Sequence, residues 1–290
     1  MTSLVASTAP APDAPPERPR TGVPTRVLRV SRTRRGDLAP RRDHLEVPAG
    51  GPRTTVLDAL TWARSHLDPT LDIRHSCYHA SCGTCGMRVD GRDVLACVTR
   101  LADLPDGEVA IEPLQNQGLI SDLVVDIEAL YEAFDAVGMP LVRGSAVVRG
   151  AVPAPGVERL TRFEDCIECG LCVSACPIEA SDAAYEGPAV LAAAWRIVEE
   201  PRDADPERAF ALVDGDQGAW RCHLAFECSE ACPSGALPAE GIMHLRRGLL
   251  RHRLRMAFAH LRANAHGGGA TGSGGAVGSG GAAGPTGSVA

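Results

Sequence analysis

The sequence predicts an α+β protein in two parts, a β-grasp sheet followed by an all-α region. Three observations predict it. Two short stretches of strand-type residues, 25–30 and 45–47, precede a helical apolar pattern and then a hairpin signal. From residue 121 onward the apolar spacing is helical in most segments. Each part also carries its own cysteines, Cys77 to Cys97 in the first and Cys166 to Cys232 in the second.

A chain of 290 residues allows two domains with their own cores. Aromatic residues make up only 4%, so Leu, Val, Ala and bound cofactors must fill the interior. The net charge of −7 argues against nucleic acid as the main partner. Residues 1–24 are rich in Pro, Ala and Ser without periodicity and are expected to be disordered. They contain no apolar stretch of signal-peptide type, and nowhere does an apolar run approach the roughly 20 residues of a spanning helix. The expectation is a soluble chain made in a reducing compartment, with peripheral membrane contact at most.

In the first part, Thr54 or Thr55 caps a helix with Val56, Leu57, Leu60, Trp62 or Ala63, and Leu67 on one face, stopped by Pro69. Next come Cys77-x4-Cys82-x2-Cys85 and, eleven residues later, Cys97. This is the plant-type [2Fe-2S] spacing. A tight loop there aims backbone N–H groups at sulfur, and Gly83 and Gly86 permit the close approach. Asp90-Gly91 turns a hairpin that returns the chain to Cys97. His75 and His79 flank the loop and read as surface residues, because four Cys already complete the set. Residues 108–111 read as the closing strand. Ser121 is then expected to cap a helix with Leu123, Val124, Ile127, Leu130, Tyr131 and Phe134 on one face, ended by Gly138 and Pro140. Residues 141–160 form a connector.

The second part opens with Cys166-x2-Cys169-x2-Cys172-x3-Cys176-Pro177, the ligand run of bacterial two-cluster ferredoxins, whose fourth Cys serves the other cluster. Its counterpart is Cys222-x5-Cys228-x3-Cys232-Pro233, with Ala225 where the first run has Cys169. If the fourth Cys of each run crosses over, Cys166, Cys169, Cys172 and Cys232 hold a [4Fe-4S] cluster. Cys176, Cys222 and Cys228 are left for the other, and three thiolates suit a [3Fe-4S] cluster. Zinc is the rival reading of Cys-x2-Cys pairs, but two interlocked runs each ending in Cys-Pro argue against it. An odd cysteine count argues against a disulfide framework. Between the runs, Pro188 and Pro206 open helices, the first with Val190, Leu191, Ala194, Trp195 and Val198 inward. Pro238 opens a long helix with Ile242, Leu245, Leu249, Leu250, Leu254, Phe258 and Leu261. Its arginines 246, 247, 251, 253, 255 and 262 read as a solvated face, with anionic lipid headgroups as the sharper alternative.

Several motifs together resemble one family. They are Arg74-x-Ser76-Cys77, Cys82-Gly-Thr-Cys85-Gly-Met87, Leu95-Ala-Cys97, Cys166-Ile-Glu-Cys169-Gly-Leu-Cys172, Gly187-Pro188 and Arg221-Cys222-His223. Over residues 25–251 the chain resembles the iron–sulfur subunit of succinate dehydrogenase and fumarate reductase. The resemblance implies a β-grasp [2Fe-2S] ferredoxin domain (25–120) followed by an all-α helical ferredoxin domain (121–265); residues 266–290, rich in Gly, Ala, Ser and Thr, read by composition as a flexible tail. It implies three partners: a flavoprotein that oxidises succinate at FAD, a membrane anchor, and quinone near the [3Fe-4S] cluster. The chain would then sit at the cytoplasmic face of the cell membrane, held by its partners, as a carrier without substrate chemistry of its own. Pro177 and His223 match family positions that line the quinone pocket, and Trp220 could supply its aromatic wall. Ile178-Glu179-Ala180-Ser181 stands where ubiquinone-type members carry Trp, which favours a menaquinone-type enzyme. Ala80 stands where many members carry Gly. The rival readings are a soluble fumarate reductase subunit and a free-standing ferredoxin-like carrier.

Overall fold

Strand β1 (Thr25–Arg32) turns Leu28, Val30 and Arg32 to one face by its period of two, and all three are fully buried. The computed structural model describes residues 22–267 apart from 35, 36, 38, 140–143, 145, 147, 148, 151, 153, 154, 158–160, 203, 204 and 206. Most of the N-terminal segment, much of the connector, Pro140, Pro206 and the tail beyond 267 therefore lie outside the described residues. β1 pairs antiparallel with β2 (Arg41–Pro48), Thr25 opposite Pro48. β3 (Gly86–Val89) and β4 (Arg92–Leu95) form the expected hairpin, with Asp90 and Gly91 both at positive φ as a type I′ turn requires. β5 (Val109–Glu112) runs parallel to β1 and antiparallel to β3, giving the order β2-β1-β5-β3-β4.

Helix α1 (Val56–His66) packs its apolar face on this sheet. Thr55, not Thr54, is its cap: its hydroxyl accepts from the Asp58 N–H while the Asp58 carboxylate accepts from the Thr55 N–H. Val56, Leu57, Ala59, Leu60 and Ala63 are buried, so Ala63 and not Trp62 completes the inner face.

The segment after β5 departs from expectation. Ser121 caps no helix; residues 118–126 form a second hairpin, β6 (Gly118–Ser121) and β7 (Val124–Asp126). The reason is a buried charge network. The Asp122 carboxylate accepts from the backbone N–H groups of Thr33 and Asp72 and pairs with the Arg32 guanidinium at 3.0 Å. Arg32 also reaches Asp43 (3.0 Å), Asp68 (2.6 Å) and the Thr70 carbonyl and hydroxyl. A buried cation is tolerable only with its partners in place, and this one fixes Asp122 in a turn. Burial alone would raise the Asp68 carboxyl, but bonds from Thr70 and Arg32 bring it down to about 2. Leu123 and Val125 join the core of the sheet domain.

The helix begins later, as α2 (Glu128–Val137), where the Asp126 carboxylate accepts from the Glu128 N–H. Leu130, Phe134 and Val137 are buried, Tyr131 is exposed, and Gly138 closes the helix in the left-handed conformation. Short helices α3 (Thr161–Glu164) and α4 (Leu171–Ser174) follow. α5 (Pro188–Glu199), with Pro at its first position, is buried on most sides and packs on α2, α4 and α6 (Glu207–Val213). α7 (Glu227–Glu230) precedes the long α8 (Pro238–Gly267).

Ile242, Leu245 and Leu249 of α8 enter the second core. Arg246 does not belong to a solvated face: its guanidinium donates to the carbonyls of Ala219 (2.8 Å), Trp220 (3.2 Å) and Cys222. A separate structural unit begins at Leu250. Within it Leu250, Leu254, Phe258 and Leu261 are each more than half exposed, not part of a buried stripe.

The loop 115–117 joins the two cores. The Gln115 N–H donates to Ser174 Oγ at 2.8 Å. The Asn116 side-chain amide donates to the carbonyls of Val173, Ser174 and Cys176 at 2.9–3.2 Å, and that of Gln117 to the Gly170 carbonyl. Leu171 of α4 is buried in the sheet domain's core. These bonds hold the first helical cysteine run against the sheet domain.

Candidate iron–sulfur centres

The loop from Cys77 to Cys85 is shaped by backbone conformations that turn N–H groups toward sulfur. Tyr78, Ala80 and Gly83 all have positive φ, at 62°, 59° and 70°. Ala80 accepts a conformation that Gly would adopt without strain. The Ala80 N–H donates to Cys97 Sγ (3.3 Å), those of His79 and Ser81 to Cys77 Sγ (3.5 and 3.3 Å), and that of Cys77 to Cys82 Sγ (3.5 Å). Hydrogen bonds to sulfur favour thiolate. The His79 N–H, ahead of other causes, brings Cys77 down to about 7. Burial, with the neighbouring Cys97 and Cys82, pushes Cys85 up to about 12. The hairpin β3–β4 delivers Cys97 to the loop, so all four sequence-predicted residues meet. His79 is exposed and His75 half-buried, edge-on to Tyr78.

The seven remaining cysteines line two cavities. One gathers Cys166, Cys169, Cys172 and Cys232, with Leu130, Ala189 and Pro238 as apolar walls. The other gathers Cys176, Cys222 and Cys228, with Ala225, Pro177 and His223. Each cavity thus takes the last Cys of the opposite run. The two runs share a backbone path: Glu168 and Leu224 have φ of 54° and 57°, and Gly170 and Phe226 have 76° and 66°, ahead of α4 and α7. Amide N–H groups again face sulfur, Leu224 to Cys222 Sγ (3.4 Å) and Ala236 to Cys232 Sγ (3.3 Å). Burial pushes Cys169 to about 12 and Cys228 to about 11, and neighbouring thiols push the same way; burial likewise raises Cys172 well above the ordinary thiol value.

Buried thiols crowded in this way are costly to ionise alone. A cationic iron–sulfur core supplies the missing positive charge, and thiolate is its usual protein ligand. All eleven cysteines are free of disulfides. Among the described residues no group of three or more His, Cys, Asp or Glu is arranged for a single metal ion.

The three sites adjoin. A Cβ built on Gly83, in the first loop, would lie 2.7 Å from the Cβ of Cys169. Cys172 in turn feels Cys228 of the third site electrostatically. Pro177 and His223 are exposed and line the cavity of Cys176, Cys222 and Cys228. Trp220 does not line it: its indole N–H donates to Asp214 at 2.7 Å, and Arg246 lies over the ring at 5.8 Å. Sequence reasoning missed Tyr185, which lines the same cavity and whose only signal was its place two residues before Gly187-Pro188.

Fold and sites together define a two-domain electron-transfer protein of ferredoxin type. Residues 25–132 match a 2Fe-2S iron–sulfur cluster binding domain family, and residues 162–236 a 4Fe-4S dicluster domain family. The chain is 40% identical over 238 residues to the fumarate reductase iron–sulfur subunit of Mycobacterium tuberculosis (strain CDC 1551 / Oshkosh), covering 79% of this chain and 94% of that protein. It is 31% identical over 205 residues to the mitochondrial succinate dehydrogenase [ubiquinone] iron–sulfur subunit of Dictyostelium discoideum, covering 66% and 70%. A chain of the Mycobacterium smegmatis Sdh1 complex in the apo form shares the fold, with a TM-score of 0.71 at 23% identity, covering 80% of this chain and 98% of that one. The chain belongs to the iron–sulfur subunits of the fumarate reductase and succinate dehydrogenase family. It is therefore a subunit of an oxidoreductase, with the [2Fe-2S] and [4Fe-4S] domains of an electron carrier. Its remaining cysteines are compatible with a third cluster.

Proposed function

We propose that this chain passes electrons between the FAD of a flavoprotein partner and quinone held at a membrane anchor. The observation that carries the reading is the division of seven cysteines between two adjoining cavities, the first of them in contact with the Cys77–Cys97 loop. In this reading Cys77, Cys82, Cys85 and Cys97 hold [2Fe-2S]. Cys166, Cys169, Cys172 and Cys232 hold [4Fe-4S], and Cys176, Cys222 and Cys228 hold [3Fe-4S]. Such clusters supply reversible one-electron acceptance. The protein's residues supply the rest. Backbone N–H groups fix the thiolates, and Gly83, lacking a side chain, lets the first loop touch the second site. Leu171 and the Asn116 amide keep those elements docked.

At the far end, the exposed residues Pro177 and His223 face the quinone. Trp220, whose indole N–H donates to Asp214, is not among the residues lining the cavity beside Pro177 and His223, and we leave it out of the quinone wall on that ground. The [2Fe-2S] domain takes in Leu123 and Val125, so we set its division from the helical domain between Val125 and Glu128 instead of after residue 120. The chain is placed at the cytoplasmic face of the membrane through its partners; among the described residues no helix is long and apolar enough to cross.

The test is quinone-linked succinate oxidation by the complex purified through this chain. Turnover with both quinone and a dye that takes electrons at the flavin supports the reading. Dye reduction without quinone reduction would remove the membrane end of it, and the absence of both would remove the succinate end.

A further inference from the structure

The cavity that gathers Cys176, Cys222 and Cys228 has one buried polar side chain in its wall that the proposed circuit does not use. Tyr185 sits in the loop before α5 and is 4% exposed. Its hydroxyl is buried and has no hydrogen-bond partner. A buried hydroxyl without a partner carries a desolvation penalty that a native fold seldom leaves in place. The side chains beside it in the cavity wall include the apolar Pro188 and Ile242, which offer it nothing to bond. Tyr185 shares that wall with the sulfur-bearing side chains of Cys176, Cys222 and Cys228, and with His223 and Glu227.

We infer that the Tyr185 hydroxyl donates a hydrogen bond to the cluster held by Cys176, Cys222 and Cys228, and that it raises that cluster's reduction potential. The inference rests on the assignment of those three cysteines as ligands. Reduction adds one electron whose charge spreads over the cluster sulfurs. A fixed O–H dipole aimed at sulfur is worth more against the more negative state, and a dry, low-dielectric cavity enlarges the difference. No bond is made or broken at the tyrosine. Its effect is to make the last carrier before quinone easier to reduce, which draws electrons toward that end of the chain.

The experiment is a redox titration, followed by EPR, of the purified complex carrying Tyr185→Phe. This substitution keeps the ring and removes only the oxygen. The midpoint of the third cluster should fall by about tenfold in its reduction equilibrium, about 59 mV for a one-electron couple. The other two midpoints and the iron content should not move. As a second readout, ENDOR in H2O against D2O should find on the oxidised three-iron cluster of the wild-type complex one exchangeable proton coupling that is missing in Tyr185→Phe, while couplings from amide donors such as the Leu224 N–H remain in both. An unchanged midpoint with the three-iron signal intact in both proteins overturns the inference alone. Absence of the three-iron signal from the wild-type complex overturns the ligand assignment, and the inference with it.

Discussion

Replacing Ala225 with Cys restores the position that the second run lacks relative to the first. The structure gives reason to expect the new thiol to be well placed. Leu224 precedes it at φ 57° where Glu168 has 54°, and Phe226 follows at 66° where Gly170 has 76°. Ala225 lines the cavity of Cys176, Cys222 and Cys228 and is exposed, so one added sulfur meets open space. The cost to folding should lie within about 0.5 kcal/mol, as for a surface substitution. The centre should gain a fourth iron, taking the chain from about nine irons to about ten on the cluster stoichiometries proposed. In the oxidised enzyme the three-iron EPR signal should disappear and a four-iron signal should appear on reduction, at lower potential. Quinone reduction should slow, since the last carrier becomes harder to reduce. Persistence of an unchanged three-iron signal in Ala225→Cys, with the new thiol verified by mass, would refute the crossover of ligands between the runs.

Substituting His223 should slow quinone reduction at least tenfold while sparing succinate oxidation read with an early-acting dye, because a hydrogen bond to a charged partner contributes roughly 1.5–3 kcal/mol. Equal losses in both assays would indicate cluster damage instead. Asp68→Asn should cost about 2 kcal/mol at neutral pH, read as a lowered denaturant midpoint, since its carboxyl titrates near 2 when folded against 3.8 otherwise. The sign follows from a depressed folded value: the contribution is whole above about 4 and is lost as pH falls toward 2. The difference between wild type and variant should shrink over that window, and a gap that widened there would contradict the role given to Asp68.

The cysteine pattern and the helices opened by proline were readable in the sequence because they are local. Spacing fixed which residues could meet, and Pro188 at a helix's first position needs no tertiary context. What was not legible depended on partners far away in the chain. Residues 123–134 carry helical apolar spacing, yet Arg32, Asp72 and Thr33 capture Asp122 and make residues 118–126 a hairpin. Arg246 looked like one arginine among many until the carbonyls of Ala219, Trp220 and Cys222 claimed it. Tyr185 had no motif of its own, and only the cavity shows that its hydroxyl is turned away from water. The contact of Gly83 with Cys169 is likewise invisible in the sequence, because it joins two domains.

Eleven cysteines that hold three clusters in sets of four, four and three leave a countable metal content. The most direct measurement is metal analysis with EPR on anaerobically purified protein. The protein should carry about nine irons per chain, zinc near zero, and a three-iron signal in the oxidised state. Stoichiometric zinc, or iron far below that number with no three-iron signal, would contradict it.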